Sequence, residues 1–466
     1  MSNCRFCGSE IPNNARFCAY CGSSLNVSIE EIRTQPLTES IEEAQTQPLP
    51  ANGEQHLYSL YTHSEPSLPL VDHYTSSHAL PQQKSRLPRM HGSILTWSML
   101  LVVAIAIIGG GMKLLPGILN RGLSPAVSAS TQVAALDHFF TTEQFSGAVL
   151  VARAEKILLS KGYGMADWQH NIANRSQTIF RIGSVTQQFT AMAILLLQGQ
   201  GKLHVQDPIC TYIDACPAAW RPITIHQLLT HTSGIPDYTS FSDYNATKGQ
   251  PTSTAQLLAR FKGKPLDFSP GSMFSYSNSE YAVLGAIIEK VSGEAYATFL
   301  QQAIFGPLHM NQTSYDQSYP SLPDHATGYD RPRVPTDYID MSVPFAAGAL
   351  ASTVDDLYRW DQAIFNGTFA SRALLQEMFT PQALICPTPH SGSCGQYSEE
   401  HYGYGWFLDK EANSGRNVIF HPGSSDGFSA LNEYFPDQKI TVILLSNSGS
   451  GVGPSLMSSI ETLFFA

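Results

Sequence analysis

An uncharged stretch in the first quarter of the chain most constrains what the sequence can fold into. Residues 92–112 contain no Asp, Glu, Lys or Arg, and 91 residues precede them. As a helix this stretch would rise about 31 Å, the thickness of a bilayer core. A cleaved signal peptide fits poorly so far from the start. We therefore predict a transmembrane helix at 92–115, with a buried helix of a soluble protein as the alternative.

Basic residues on the two sides of this segment indicate its orientation. Lys84, Arg86 and Arg89 precede it, whereas Lys113 and Arg121 follow it. Under the positive-inside rule the excess places the N-terminus in the cytoplasm. The sequence thus predicts a single-pass protein of the cell membrane. A spacer at 116–129 would lead to an extracytoplasmic domain at 130–466.

The segment at 25–91 is rich in Gln, Pro, Ser, Thr and Glu and poor in aliphatic side chains. Such a composition buries too little apolar surface to offset chain entropy, so we predict a disordered linker. Within it Thr-Gln-Pro-Leu occurs at 34–37 and again at 46–49. The repeat is either low-complexity drift or a duplicated docking or phosphorylation site, and a docking site would suit a scaffolding function.

Four cysteines near the N-terminus form two similar pairs, each a Cys-x-x-Cys followed by Gly-Ser: Cys4 and Cys7, then Cys18 and Cys21. Four thiolates suit tetrahedral zinc, and the glycine lets the backbone turn tightly around the sulfurs. The pattern predicts a zinc ribbon at 1–24 with one structural zinc ion; a redox pair or a disulfide-bonded knot is the alternative. The segment resembles the short zinc ribbons at the N-termini of many bacterial membrane proteins.

Charge bears on the partners of the chain. The formal net charge is −11, and Arg5 and Arg16 are the basic residues of the ribbon segment. A surface of this kind argues against nucleic-acid binding. We expect the ribbon to dock a protein partner.

Residues 130–466 alternate strand-like and helix-like patterns, and the 43% apolar content of the chain fits a globular core. One hairpin is predicted at 146–163. A second is predicted from strands at 430–435 and 440–446, and a helix follows it. Because strands lie at both ends and helical sequence lies between them, we predict one antiparallel sheet flanked by helices, with a helical lobe inserted.

Ser184 stands at the start of a predicted helix whose apolar face includes Val185, Phe189 and Met192. The positive end of a helix favours negative charge developing on an attacked carbonyl, so this serine is a candidate nucleophile. Taken alone, a serine here is more often an N-cap than a nucleophile.

Two further motifs carry chemistry. In an extended Tyr276-Ser277-Asn278 segment, Tyr276 and Asn278 point to the same side. The tyrosine could relay a proton and the asparagine could hold a substrate amide; a helix cap at Ser277 or Asn278 is the alternative. In His421-Pro422-Gly423-Ser424, small residues would let a substrate approach the backbone.

Together these motifs resemble those of the serine β-lactamase-related family, near class C β-lactamases, penicillin-binding proteins, D-aminopeptidases and related esterases. Segments 225–234 and 347–357 are similar to other recurrent segments of the family. The resemblance covers about residues 145–448. It implies an α/β (α+β) β-lactamase/transpeptidase-like fold that needs no cofactor for its hydrolase domain. An ester or amide substrate, such as a peptide, a lactam or a D-amino-acid compound, is implied as well.

The resemblance also implies site residues. Ser184 would be the acylated nucleophile, and Tyr276 with Asn278 would be the second motif. His421 with Gly423 would be the third. The backbone N–H groups of Ser184 and Ser424 would form the oxyanion hole.

One position departs from the family pattern Ser-x-x-Lys, because Gln187 stands where the lysine is expected. Glutamine can neither accept the serine proton nor lower the pKa of Tyr276 by charge. His421 is then the plausible substitute base, acting directly or through Tyr276. Two interpretations follow: a serine hydrolase that forms an acyl-enzyme at Ser184, or a pseudoenzyme that binds or senses ligands.

Four more cysteines lie in the large domain. Outside the cytoplasm we expect Cys210 to pair with Cys216 and Cys386 with Cys394, since these closures are short. Buried free thiols and other pairings are the alternatives.

Overall fold

The computed structural model describes residues 2–3, 10–11, 129–316, 324–385, 397–411 and 414–465. The four ribbon cysteines, the predicted linker and the predicted transmembrane helix lie outside these ranges. Within these ranges, no helix is long and apolar enough to cross a bilayer. At the N-terminus Ser2–Asn3 (β1) pairs antiparallel with Glu10–Ile11 (β2).

Among the remaining strands, the longer ones lie near the two ends of the large domain and the short ones lie mostly between them. In chain order they are β3 Gly147–Arg153, β4 Lys156–Tyr163, β5 Met165–Asp167, β6 Ile172–Ala173, β7 Phe180–Arg181, β8 Ser314–Tyr315, β9 Tyr329–Arg331, β10 Val334–Pro335, β11 Leu350–Ser352, β12 Ala383–Leu384, β13 Tyr397–Tyr402, β14 Phe407–Glu411, β15 Asn417–Ser425, β16 Phe428–Phe435 and β17 Ile440–Ser446.

Eight strands form one antiparallel sheet in the order β12-β13-β14-β15-β16-β17-β3-β4. The last strand, β17, pairs with the first long strand, β3, so that Leu444 lies opposite Val149. This pairing confirms the prediction that strands from both ends of the domain complete a single antiparallel sheet. Smaller ladders join β5 with β6, β9 with β10, and β7 and β8 with β11.

The described residues also form α-helices. They are α1 Ala129–Thr142, α2 Thr186–Gly199, α3 Ile225–Leu229, α4 Tyr244–Thr247, α5 Thr254–Lys262, α6 Asn278–Ser292, α7 Tyr296–Leu300, α8 Phe345–Gly348, α9 Val354–Phe365, α10 Arg372–Met378 and α11 Pro454–Phe465. A 3-10 helix at Gly183–Val185 leads directly into α2.

Two apolar cores lie on opposite faces of the sheet, because neighbouring side chains of a strand alternate between its faces. Along β3, Leu150 belongs to the core shared with the helical lobe, whereas Val149 belongs to the core shared with α1 and α11. In the lobe, α2 packs against α6 and α8 and is buried over most of its length. Its first turn is therefore held on all sides, which positions Ser184.

One predicted disulfide falls within the described residues. Cys210 and Cys216 are bonded, with their Cα atoms 5.3 Å apart, as expected from their short separation. Cys386 and Cys394 lie outside the described residues, so their pairing stays a prediction.

Candidate active site

Ser184 lies where the 3-10 helix before α2 meets strand β15. Gly183 has a φ of +50°, and a Cβ added to it would lie 2.5 Å from the Ser424 carbonyl oxygen. A Cβ on Gly423 would lie 2.0 Å from the carbonyl oxygen of Ile182. These two backbones touch, and only glycine fits at the contact. The third motif is thereby held against the residue that precedes Ser184.

Gln187 lies one helical turn after Ser184 and is fully buried. Its side-chain Nε2 donates to the Tyr276 hydroxyl at 2.5 Å. Its Oε1 lies 3.2 Å from His231 Nε2 and 3.1 Å from the Tyr402 hydroxyl. The position that would carry a cation in the family pattern thus carries a neutral amide with partners on both ends.

Behind Gln187, a buried imidazole and a buried carboxyl share a short contact. His231 Nδ1 lies 2.6 Å from Glu280 Oε2, and neither side chain is exposed. Ser233 donates from its N–H and its hydroxyl to Glu280 Oε1, and the Ser277 N–H points at His231 Nδ1 from 3.2 Å.

Burial sets the charge of this pair. It raises the pKa of Glu280 well above its usual value and lowers the pKa of His231 well below its own. The carboxyl is therefore protonated and donates to Nδ1, which also accepts from the Ser277 N–H. His231 then carries its ring hydrogen on Nε2 and donates it to Gln187 Oε1.

Tyr276 joins this network to the nucleophile. Burial raises the pKa of Tyr276 well above its usual value, although hydrogen bonds with Ser184 and Gln187 act in the opposite direction. At neutral pH the phenol is therefore protonated. It can pass a proton between two partners, but it is a weak base on its own.

His421 is tied to a residue that the sequence did not single out. Its Nδ1 donates to the carbonyl of Pro422 at 2.6 Å, so Nε2 accepts, and the Tyr402 hydroxyl lies 2.9 Å from it. Burial lowers the pKa of His421 to about 4, which leaves it neutral at pH 7. Its ring centre lies 6.4 Å from that of Tyr276. The single Tyr402 hydroxyl hydrogen therefore lies within reach of two acceptors, His421 Nε2 and Gln187 Oε1.

Asn278 is the first residue of α6, beside Tyr276. Its amide Nδ2 lies 3.3 Å from Asp237 Oδ2 and 3.4 Å from the Thr239 hydroxyl. Its backbone N–H also donates to the Asp237 carboxylate. The second motif is thus anchored to the loop that contains Asp237.

The structure brings the three predicted motifs to one place, where Ser184, Tyr276 and His421 surround Gln187 through the contacts above. The residues that complete the network were not predicted: His231, Glu280, Tyr402 and Asp237. His231 lies in the recurrent segment at 225–234, and Glu280 follows Asn278 by two residues, so a weak signal existed for both. Tyr402 reaches the site from β13, and nothing in its local sequence marks it.

The sequence points to a metal site in the N-terminal segment. Residues 3–25 match the zinc-ribbon domain family model, and a set of four thiolates fits a structural zinc ion. Among the residues described from 129 onward there is no group of three or more His, Cys, Asp and Glu side chains suited to a metal.

Several proteins are similar to this chain in sequence or in fold. A penicillin-binding protein of Bacillus subtilis (strain 168) is 30% identical over 321 residues, which span 65% of this chain and 68% of that protein. The octameric penicillin-binding protein homologue from Pyrococcus abyssi has a TM-score of 0.60 at 27% identity, covering 72% of this chain and 77% of that one.

The D-stereospecific amidohydrolase from Streptomyces sp. has a TM-score of 0.60 at 26% identity, covering 73% of this chain and 99% of its own. Homologues with this fold are serine hydrolases, in agreement with the predicted class of enzyme. The family model described as Beta-lactamase matches residues 134–457, about 70% of the chain. The large domain of this chain therefore belongs to the beta-lactamase family.

Proposed function

We propose that the chain is a membrane-anchored serine hydrolase that cleaves an ester or amide through an acyl-enzyme at Ser184. The observation that carries the proposal is the position of Ser184 beside the backbone of Ser424 and one helical turn before Gln187, whose Nε2 donates to the Tyr276 hydroxyl. The nucleophile, the group that relays its proton and the candidate donors to the oxyanion then surround the place where a substrate carbonyl would bind.

The proposed chemistry uses neutral groups. Ser184 Oγ attacks the carbonyl carbon and passes its proton to the Tyr276 oxygen, while Tyr276 gives its own proton to the leaving group. The oxyanion accepts hydrogen bonds from the N–H groups of Ser184 and Ser424. In the second step water attacks the acyl-enzyme and passes its proton to the Tyr276 oxygen, while Tyr276 returns its own proton to Ser184 Oγ. Such a relay needs no phenolate, but without a cation we expect slow turnover and a preference for good leaving groups.

The substrate class is proposed from the neighbours and the motifs. Proteins similar to this one include penicillin-binding proteins and a D-stereospecific amidohydrolase. We propose a small peptide, lactam or D-amino-acid substrate. A single membrane helix at 92–115 would place the hydrolase domain outside the cytoplasm, a location that the Cys210–Cys216 disulfide supports. The zinc ribbon would then face a cytoplasmic protein partner.

The test is covalent labelling together with turnover. The purified full chain is treated with a serine-directed fluorophosphonate and assayed with p-nitrophenyl acetate. We expect labelling and slow hydrolysis that Ser184→Ala abolishes. The exposed Ser272, which bonds to the Ser269 carbonyl, provides the control, because Ser272→Ala should change neither readout. Protease accessibility in intact cells tests the orientation, and protection of the C-terminal domain would reverse it.

The second candidate is a ligand-binding module on the same fold, and the neutral Gln187 is the observation that favours it. Equal inertness of the wild-type chain and Ser184→Ala would reject the hydrolase and leave this candidate. Tight binding of a penicillin without acylation of Ser184 would then support it.

The variant His421→Ala tests the mechanism of the proposed hydrolase. A large loss of turnover would mean that His421, and not Tyr276 alone, is the base.

A further inference from the structure

The orientation of the Gln187 amide decides what that side chain does to Tyr276. An amide has a donor end and an acceptor end of nearly equal size. With Nε2 toward Tyr276, Gln187 donates to the phenol oxygen and leaves the phenol hydrogen free for the leaving group. With Oε1 there instead, the amide would accept that hydrogen and withdraw it from the relay.

Gln187 does not select between these orientations by itself. Tyr276 and Tyr402 both carry hydroxyl groups, and a hydroxyl can donate or accept. His231 differs, because the hydrogen on its Nε2 makes this atom a donor only. If the amide turned over, two N–H groups would face each other across the 3.2 Å contact inside a fully buried site. The His231 tautomer therefore selects the amide orientation.

Glu280 in turn selects the tautomer. Its carboxyl lies 2.6 Å from Nδ1, and the Ser277 N–H approaches the same nitrogen. The other oxygen, Oε1, accepts two hydrogen bonds from Ser233, which leaves Oε2 as the end that carries the proton. Nδ1 is thus an acceptor, and the ring hydrogen lies on Nε2.

We propose that His231 and Glu280 are positioning residues that hold the Gln187 amide with its Nε2 on the Tyr276 oxygen, in the place of a charged side chain. Through this chain of contacts Gln187 stabilises the negative charge that develops on the Tyr276 oxygen as the phenol proton moves to the leaving group. The inference rests on the proposed hydrolase function for its kinetic consequence, but its structural part does not depend on turnover.

The structural part is tested by ¹⁵N NMR of the full chain labelled at histidine, with His231→Phe used to assign the signal. We expect a neutral ring protonated on Nε2 that does not titrate between pH 5 and 8, whether or not the chain is active. A ring protonated on Nδ1, or on both nitrogens, overturns the proposal. Absence of Ser184-dependent turnover would instead reject the hydrolase function alone.

The kinetic part is tested by a double-mutant cycle on p-nitrophenyl acetate hydrolysis. His231→Phe removes the donor and keeps a ring, so we expect kcat to fall about tenfold with KM little changed. Gln187→Met removes the amide, and in that background His231→Phe should have no further effect on kcat. An equal loss in both backgrounds would show that His231 only supports the fold and would overturn the proposal.

Glu280 provides the matched control. Glu280→Gln can still donate to Nδ1 and accept from Ser233, so kcat should stay within about twofold of wild type. Glu280→Met can do neither and should lower kcat as His231→Phe does. If Glu280→Gln is as damaging as Glu280→Met, the pair is not neutral and the proposed tautomer control fails. Thermal unfolding of each variant checks that the domain is folded.

Discussion

The Gln187 amide nitrogen donates to the Tyr276 hydroxyl at the position where the family pattern has a lysine. The contact keeps one property of that lysine, a donor aimed at the phenol oxygen, and loses the other, a positive charge. The Glu280–His231 pair behind the amide is neutral as well. This agrees with the missing charge at residue 187, because a buried carboxylate is costly without a cation beside it. The whole network is consistent with a neutral residue 187.

Restoring the lysine should therefore require the carboxyl to ionise. In Gln187→Lys we expect Glu280 to lose its proton and His231 to change to its other tautomer, so that Nδ1 donates to Glu280 and Nε2 accepts from the new ammonium group. The ammonium group lowers the pKa of Tyr276 by its charge, which makes the phenol a better base. Turnover of p-nitrophenyl acetate should rise by on the order of 10², since a positioned base contributes about 10² to 10⁴.

The double variant Gln187→Lys/Glu280→Gln provides the control. It lacks the counter-charge, so the gain should disappear. Equal turnover of the single and the double lysine variants would show that Glu280 plays no part in balancing the charge.

The glycine contact beside Ser184 predicts a strong effect of a single methyl group. A Cβ at Gly423 would lie 2.0 Å from the Ile182 carbonyl oxygen, so Gly423→Ala must push β15 away from the 3-10 helix. We expect turnover and fluorophosphonate labelling to be lost, with the free energy of unfolding lowered by about 1–3 kcal/mol. Gly263→Ala is the control, because nothing lies within 4 Å of its added Cβ. Comparable losses in the two variants would contradict the contact.

The sequence predicted the parts of this fold that depend on local pattern and on the chain ends. The hairpins β3–β4 and β16–β17 follow from apolar runs on either side of a polar turn, and their pairing through β17 and β3 follows from the helical sequence between them. The motif residues Ser184 and Tyr276 could be found because each lies beside a recognisable turn or helix start.

The partners of Gln187 could not be found in this way. Tyr402 is 215 positions from Gln187 along the chain, and His231 is 44 positions away. No periodicity links residues at such separations, and a tyrosine in a strand or a histidine beside a helix is usually part of the packing. Only the folded domain brings them together. From the sequence alone, glutamine at position 187 therefore looked like the loss of a lysine, whereas it is one member of a set of matched neutral residues.

The buried His421 predicts a loss of stability in acid. With its pKa lowered to about 4, the folded chain leaves His421 unprotonated between pH 4 and 6.5, whereas the unfolded chain protonates it below about 6.5. The unfolded state binds more protons in this window, so the stability that is present above pH 6.5 falls as pH falls toward 4.

The Glu280–His231 pair does not add to this slope between about pH 4.5 and 6.5. In that range the folded pair holds one proton on Glu280, and the unfolded pair holds one proton on the histidine. His421→Asn should therefore be less stable than wild type at pH 7 but show a shallower acid slope, by up to about 1.4 kcal/mol per pH unit. Urea unfolding at pH 4.5, 5.5 and 7 measures this difference, and parallel slopes in the two proteins would contradict it.

Asp409 on β14 predicts a pH effect of the opposite sign. Burial and the facing Glu400 on β13 raise the pKa of Asp409 to about 8, although a hydrogen bond from the His401 N–H lowers it. Between about pH 4 and 8 the folded chain keeps a proton that the unfolded chain releases, so stability present at low pH is lost as pH rises toward 8. Asp409→Asn keeps the acceptor for the His401 N–H and cannot ionise. Its Tm relative to wild type should therefore increase steadily from pH 5 to pH 8. A constant difference in Tm across this range would mean that Asp409 is already ionised in the folded protein at pH 5.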